Sequence, residues 1–129
     1  MEWRRLTQPE EPAFGRAMAL YEASFPRHEQ RLPDEQRAVL SHPEAFRYVE
    51  HFCVRPALRG RRYGAKALEE LGRDGKAVVL EIDPPVDDIA RRRQGFYQRC
   101  GFAVNPYPHV HPPYRPEYPG HELVVLSSP

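Results

Sequence analysis

At 129 residues the chain can bury one core and not two, so a single domain over residues 1–129 is expected. A net charge of +1 leaves no global field to hold a polyanion or an anionic membrane. Two cysteines, Cys53 and Cys100, are too few for a disulfide framework, and no apolar run approaches a membrane span.

The N-terminus "MEWRRLTQPEEPAF" lacks an apolar leader segment, so a cytoplasmic protein is expected, with both thiols buried and reduced. "EWRRL" reads as a short first strand. In "EEPAFGRAMALYEASFP", Phe14, Ala17, Met18, Tyr21 and Phe25 recur at helical spacing until Pro26 stops them. "LPDEQRAVLSHP" predicts a second, shorter helix with Asp34 as its N-cap. "FRYVEHFCVRP" is aromatic and β-branched, which predicts a strand from Tyr48 to Val54 ended by Pro56.

A further helix carries Gly64, Ala67, Leu68 and Leu71 on one face and runs out at "GRDGK". "AVVLEID" is nearly all apolar, as in a strand covered on both faces. Residues Asp88 to Arg99 form the next helix, with Gly101 just past its end. "FAV" starts a strand and "HELVVLS" reads as one last strand. From Tyr48 onward the order predicts an α/β or α+β domain.

The basic residues are 17 Arg against 2 Lys, and five of the 19 cluster at Arg55, Arg59, Arg61, Arg62 and Lys66. Within that cluster "LRGRRYGAKALEEL" places two glycines before a helix. A helix start has unpaired N–H groups and roughly half a positive charge, and glycines let backbone approach an anion. The P-loop and dinucleotide fingerprints are both absent. The stretch Arg59, Gly60, Arg61, Arg62, Tyr63, Gly64, Ala65 resembles the pyrophosphate loop of the GNAT superfamily of acetyl-CoA-dependent N-acetyltransferases, Gln/Arg-x-x-Gly-x-Gly/Ala. It departs at Arg62, where Gly is usual; its backbone N–H would serve if φ there is negative. A β-branched residue at Gly64 is expected to block the phosphate. "FYQRCGF", "YVEHF", "RRRQGFY" and "HPPYRP" extend the resemblance, which covers Tyr48 to about Val104 and the last strand.

The resemblance implies a mixed, mostly antiparallel central sheet flanked by helices. It also implies acetyl-CoA as co-substrate and a small-molecule or peptide amine as acceptor. Backbone around Phe52, Cys53 and Val54 would meet pantetheine and the acetyl carbonyl. Tyr97 matches the family tyrosine that protonates the leaving thiolate. Where the family often has an Asn facing pantetheine, this chain has Ala90. Glu50, mid-strand, is the candidate base: burial disfavours its charged form, which suits proton uptake, directly or through water. A carboxylate simply paired with a neighbouring Arg or His reads equally well. Glu81 is the runner-up and could share a proton with Glu50.

"HVH", His109 to His111, would point both imidazoles one way if extended, but no third ligand stands at a recognisable spacing, so no metal is expected. "YPHVHPPYRPEYPG" reads as an acceptor-side loop. Two other functions fit less of the chain: an acyl-CoA-binding module without catalysis, and a nucleic-acid-binding domain, against which the near-zero net charge argues.

GNAT relatives place a hairpin between their second helix and the strand of the CoA contacts. Here about six residues separate Leu40 from Arg47, too few for one. A continuous chain would leave Tyr48 to Val54 as an open edge, to be covered by "EWRRL" or a second subunit in a homodimer. The intact downstream motifs favour instead a segment missing there, which would show as a chain break near Arg47 and Tyr48.

Overall fold

The computed structural model describes residues 5–38 and 46–129. The chain divides into two compact units, Met1–Pro43 with Pro113–Pro119, and Glu44–Pro112 with Gly120–Pro129.

In the first unit, helix α1 spans Pro12–Ser24 and buries Tyr21, whose hydroxyl accepts the backbone N–H of Arg31 at 2.8 Å. A proline at its first turn costs nothing, since that N–H has no helical partner. Helix α2, Pro33–Ala38, starts one residue before the predicted cap, so Asp34 lies inside the first turn and pairs with Arg37 at 2.9 Å. Pro33 is the reason: its fixed φ is already helical. Most of the predicted strand "EWRRL" lies outside the described residues; Arg5 and Leu6 are not in a strand.

The second unit holds a four-stranded sheet in the order β1-β2-β6-β3. Here β1 is Arg47–Val49, β2 Val78–Ile82, β3 Ala103–Val104 and β6 Val124–Ser127. The β1–β2 pair is parallel, and β2–β6 and β3–β6 are antiparallel, which gives the expected mixed sheet. Helices α3, Tyr63–Leu71, and α4, Asp88–Arg99, supply the connections. Val78, Leu80 and Ile82 project from one face of β2 and join Leu68, Tyr97, Phe102 and Leu126 in the core. The other face of β2, Val79 and Glu81, is half-buried, so the strand is not sealed on both sides as "AVVLEID" suggested.

The last predicted strand is two. His121–Glu122 (β5) pairs with Val110–His111 (β4) in a separate two-stranded sheet, and β6 resumes at Val124. Between them the N–H of Leu123 donates to the carbonyl of His109 at 3.2 Å, which turns the chain from one sheet to the other.

Arg47, Tyr48 and Val49 pair in unbroken register with Val78, Val79 and Leu80, so the expected break at Arg47–Tyr48 is absent. A bidentate ion pair anchors the strand start: Arg47 meets Asp74 at 2.9 and 2.7 Å, beyond the end of α3. The backbone N–H of Lys76, then the Arg47 charge, hold the Asp74 carboxyl below the usual range. Among the described residues β1 pairs with β2 alone; most of the expected cover "EWRRL", and residues 39–45 before the strand, lie outside them.

Candidate active site

Where β1 ends, the chain leaves the sheet. The predicted strand Tyr48 to Val54 pairs only as far as Val49, and Glu50 to Val54 are partly buried without a ladder partner. The reason is packing. The Phe52 ring turns toward the core, 6.4 Å from the Tyr97 ring, and cannot also hold an alternating pleat. Phe52 and Cys53 keep their backbone groups unspent among the described residues, while the Val54 carbonyl accepts the Arg59 Nε at 3.1 Å.

Residues Arg55 to Arg62 form an exposed loop that leads into α3. The first bond of the helix runs from the N–H of Lys66 to the carbonyl of Arg62 at 3.0 Å. The N–H groups of residues 60–65 make no backbone hydrogen bond among the described residues, and no side chain caps this helix. The second helix differs. There the Asp87 side chain accepts the Ala90 N–H at 2.7 Å, and Asp88 adds a negative charge to the first turn. Thus α4 fills its own positive end, and α3 leaves its end open beside Arg59, Arg61, Arg62 and Lys66.

Two corrections concern this loop. Arg62 has φ +61°, not the negative value expected, and Gly60 has φ +76°. Alternation through the left-handed region turns successive N–H groups toward one concavity, a backbone nest for an anion. Gly60 supplies this at no steric cost, whereas Arg62 is strained by about 1–2 kcal/mol. Arg62→Gly should therefore raise stability by up to about 1 kcal/mol in chemical denaturation.

The second correction concerns Gly64. A Cβ there would meet the Phe96 ring at 3.4 Å and the Phe52 ring at 3.5 Å, so its bare side faces packed aromatics and not the phosphate space. A Cβ on Gly60 meets nothing within 4 Å. The steric demand at 64 is that of the core, and the conformational demand at 60 is that of the loop.

Tyr97, on α4, is 7% exposed and packs edge-on against Phe96 and Phe102, with centroids 5.2 and 5.9 Å away. Burial pushes its phenol up to about 12. Phe52, Gly64 and Tyr97 thus meet around one aromatic cluster. Cys53, Tyr63 and Ala65 are half-buried and Arg61 is exposed. Neither cysteine is fully buried as expected; both are free and half-buried, and burial raises the Cys100 thiol. Arg91, Arg92 and Arg93 face solvent, with surface pairs from Arg91 to Asp88 and from Arg93 to Asp83.

Glu50 keeps 13% of its side chain exposed, with the His51 Nδ1 at 3.4 Å. The β1–β2 register ends at Val49 with Leu80; Glu50 follows just outside it, while Glu81 stays in β2, paired with Val125. Sequence reasoning placed the histidines near Glu81 in the acceptor-side loop and gave them no link to Glu81. His109 Nε2 lies 2.9 Å from Glu81 Oε1 and His111 Nε2 lies 3.6 Å from Oε2. The signal was the period-two spacing of "HVH", which does put both rings on one side; their partner, 28 residues earlier, was not legible. Among the described residues no group of three or more His, Cys, Asp or Glu is arranged to hold a metal ion. No helix among them is long and apolar enough to cross a membrane.

Comparison with known proteins bears on the family and the fold. The family model described as "Acetyltransferase (GNAT) family" matches residues 15–102. A solved structure from Bacteroides thetaiotaomicron, described as an inferred acetyltransferase of the GNAT family, is similar at 26% identity with a TM-score of 0.89. The match covers 99% of this chain and 86% of that one. Comparison with curated proteins gave no match.

Proposed function

Because the chain belongs to the GNAT acetyltransferase family, we propose that it transfers an acetyl group from acetyl-CoA to a primary amine of a small molecule or peptide, by direct attack in a ternary complex. One observation carries the cofactor assignment: the N–H groups of residues 60–65 are unspent at an uncapped helix start with arginines around it. A pyrophosphate takes such donors, and the positive end of α3 favours its charge. Arg59 is already tied to the Val54 carbonyl, so it sets the loop against the Phe52–Val54 backbone and adds its charge from there.

Pantetheine then runs along the free backbone groups of Phe52 and Cys53, which can bond its amides and polarise the acetyl carbonyl. Glu50, at the point where the ladder opens, takes the proton of the acceptor amine directly or through a water. The amine nitrogen bonds to the carbonyl carbon, the C–S bond breaks, and Tyr97 donates to the sulfur as charge gathers there. Of the stretch 107–120, residues 107–112, which fall in the same unit as Glu50, are assigned to the acceptor side. In this reading the chain lacks the hairpin that relatives carry before Tyr48, and a second subunit is one cover for the β1 edge.

Gly60→Val tests the loop. A β-branched residue at positive φ is a conformational outlier, so the nest should open. Acetyl-CoA affinity by calorimetry is expected to fall at least about tenfold, roughly 1.4 kcal/mol, with the fold intact. Unchanged affinity would remove the pyrophosphate from this loop. Binding of acetyl-CoA by the unaltered protein with no turnover across a panel of amines would support the non-catalytic module instead.

A further inference from the structure

The contacts of Glu81 require a proton that its formula does not show. His111 is 9% exposed, and its Nδ1 lies 2.5 Å from the Pro112 carbonyl oxygen. A carbonyl only accepts, so Nδ1 carries hydrogen, and in a neutral ring Nε2 is then a bare acceptor. That Nε2 faces Glu81 Oε2 at 3.6 Å. Oε2 is sealed from solvent and accepts no hydrogen bond among the described residues. Two acceptors facing each other in a sealed space repel, and a hydrogen between them removes the repulsion.

The second oxygen is served differently. His109 Nε2 is within hydrogen-bond distance of Oε1, and its side chain is 34% exposed against 11% for Glu81 and for His111. The cluster therefore runs from a sealed end at His111 to a solvent-touching end at His109. The His121 ring packs beside His111, with centroids 5.7 Å apart. Glu50 directly follows Val49, whose partner Leu80 directly precedes Glu81.

We propose that Glu81, His109 and His111 form one proton-exchanging unit that shares a proton between Glu81 and His111 and delivers to solvent at His109 the proton lost by the acceptor amine. This rests on the acetyl-transfer reading above. The proton passes from the amine nitrogen to Glu50 and on to Glu81. The incoming proton is a second one beside that shared with His111: Glu81 passes it from Oε1 to His109 Nε2, the imidazolium loses its Nδ1 proton to solvent, and exchange with solvent returns the ring to its Nδ1–H tautomer. No electrons move other than those of the N–C bond formed and the C–S bond broken.

Three measurements test it. His109→Ala should lower kcat by about 10²-fold, the lower end for proton-transfer groups, with the KM for acetyl-CoA unchanged. Added imidazole should restore the rate in proportion to its concentration, which a merely structural role would not allow. Glu81→Gln should keep or raise Tm, because the Gln amide donates to His111 and its oxygen accepts from His109, while kcat falls. Nitrogen-15 spectra of the rings should show His111 protonated at Nδ1. A bare Nδ1 on His111, or a His109→Ala rate that imidazole leaves low, overturns the proposal. If the unaltered protein acetylates no amine but the spectra and the Glu81→Gln stability come out as stated, the shared proton stands and the acetyl-transfer reading fails.

Discussion

Tyr97→Phe is expected to lower kcat by about 10²-fold while acetyl-CoA affinity stays within about twofold. The size follows from acid strength. Burial holds the phenol at about 12, and an alkyl thiol sits near ~8.5, so full proton transfer to the thiolate is uphill by about 5 kcal/mol. In the proposed mechanism the hydroxyl would therefore act as a hydrogen-bond donor to sulfur as the C–S bond stretches, which is worth the low end of acid catalysis. The ring itself is core, and Phe preserves its contacts with Phe52, Phe96 and Phe102. Steady-state kinetics beside a binding isotherm separate the two; a full rate in the Phe variant takes Tyr97 out of the mechanism.

The same burial sets a stability signature. The folded state raises this phenol from 10.0 to about 12, so it favours the neutral form. The contribution is complete below pH ~10, the unfolded value, and is lost as pH rises toward about 12. The Phe variant, with no proton to lose, should resist unfolding better than the unaltered protein across that window.

What was legible in the sequence was what a short window determines. Apolar spacing at 63–71 and 88–99 gave both helices of the second unit, and the uninterrupted "VVLEI" gave its central strand. The open helix start at residues 60–65 was readable because glycines beside a helix start are a local code. Its backbone was not: φ at Arg62 follows from how the whole loop closes, and propensity argued for the opposite sign. Gly64 looked like a phosphate position because the two rings it faces come from Phe52 and Phe96, 12 residues before and 32 after.

Long-range pairing accounts for the other misses. "HELVVLS" has no breaker in its sequence, and it divides because its first two residues find β4 and its last four find β2 and β3. Strand β1 stops at Val49 because Phe52 is drawn into the aromatic cluster, which residues after Val49 alone could not announce. The histidines at 109 and 111 were dismissed for want of a third metal ligand. Their partner is a carboxylate on a different strand, which the spacing of the two histidines does not announce.

Glu50→Gln should give the other large loss, about 10²–10⁴-fold in kcat, with acetyl-CoA affinity again unchanged. Gln keeps the shape and the polar contacts of a side chain only 13% exposed, so little of the effect should come from packing. What it removes is the capacity to accept a proton where β1 parts from β2. The proposed proton route makes a further demand, because it passes through Glu50 and Glu81 in turn. Residues that act in series on one proton are not additive. The double variant Glu50→Gln, Glu81→Gln should therefore lose scarcely more than Glu50→Gln alone. Multiplying losses would mean that the two carboxylates serve separate steps. A full rate in Glu50→Gln with a low rate in Glu81→Gln would move the first proton acceptance to Glu81.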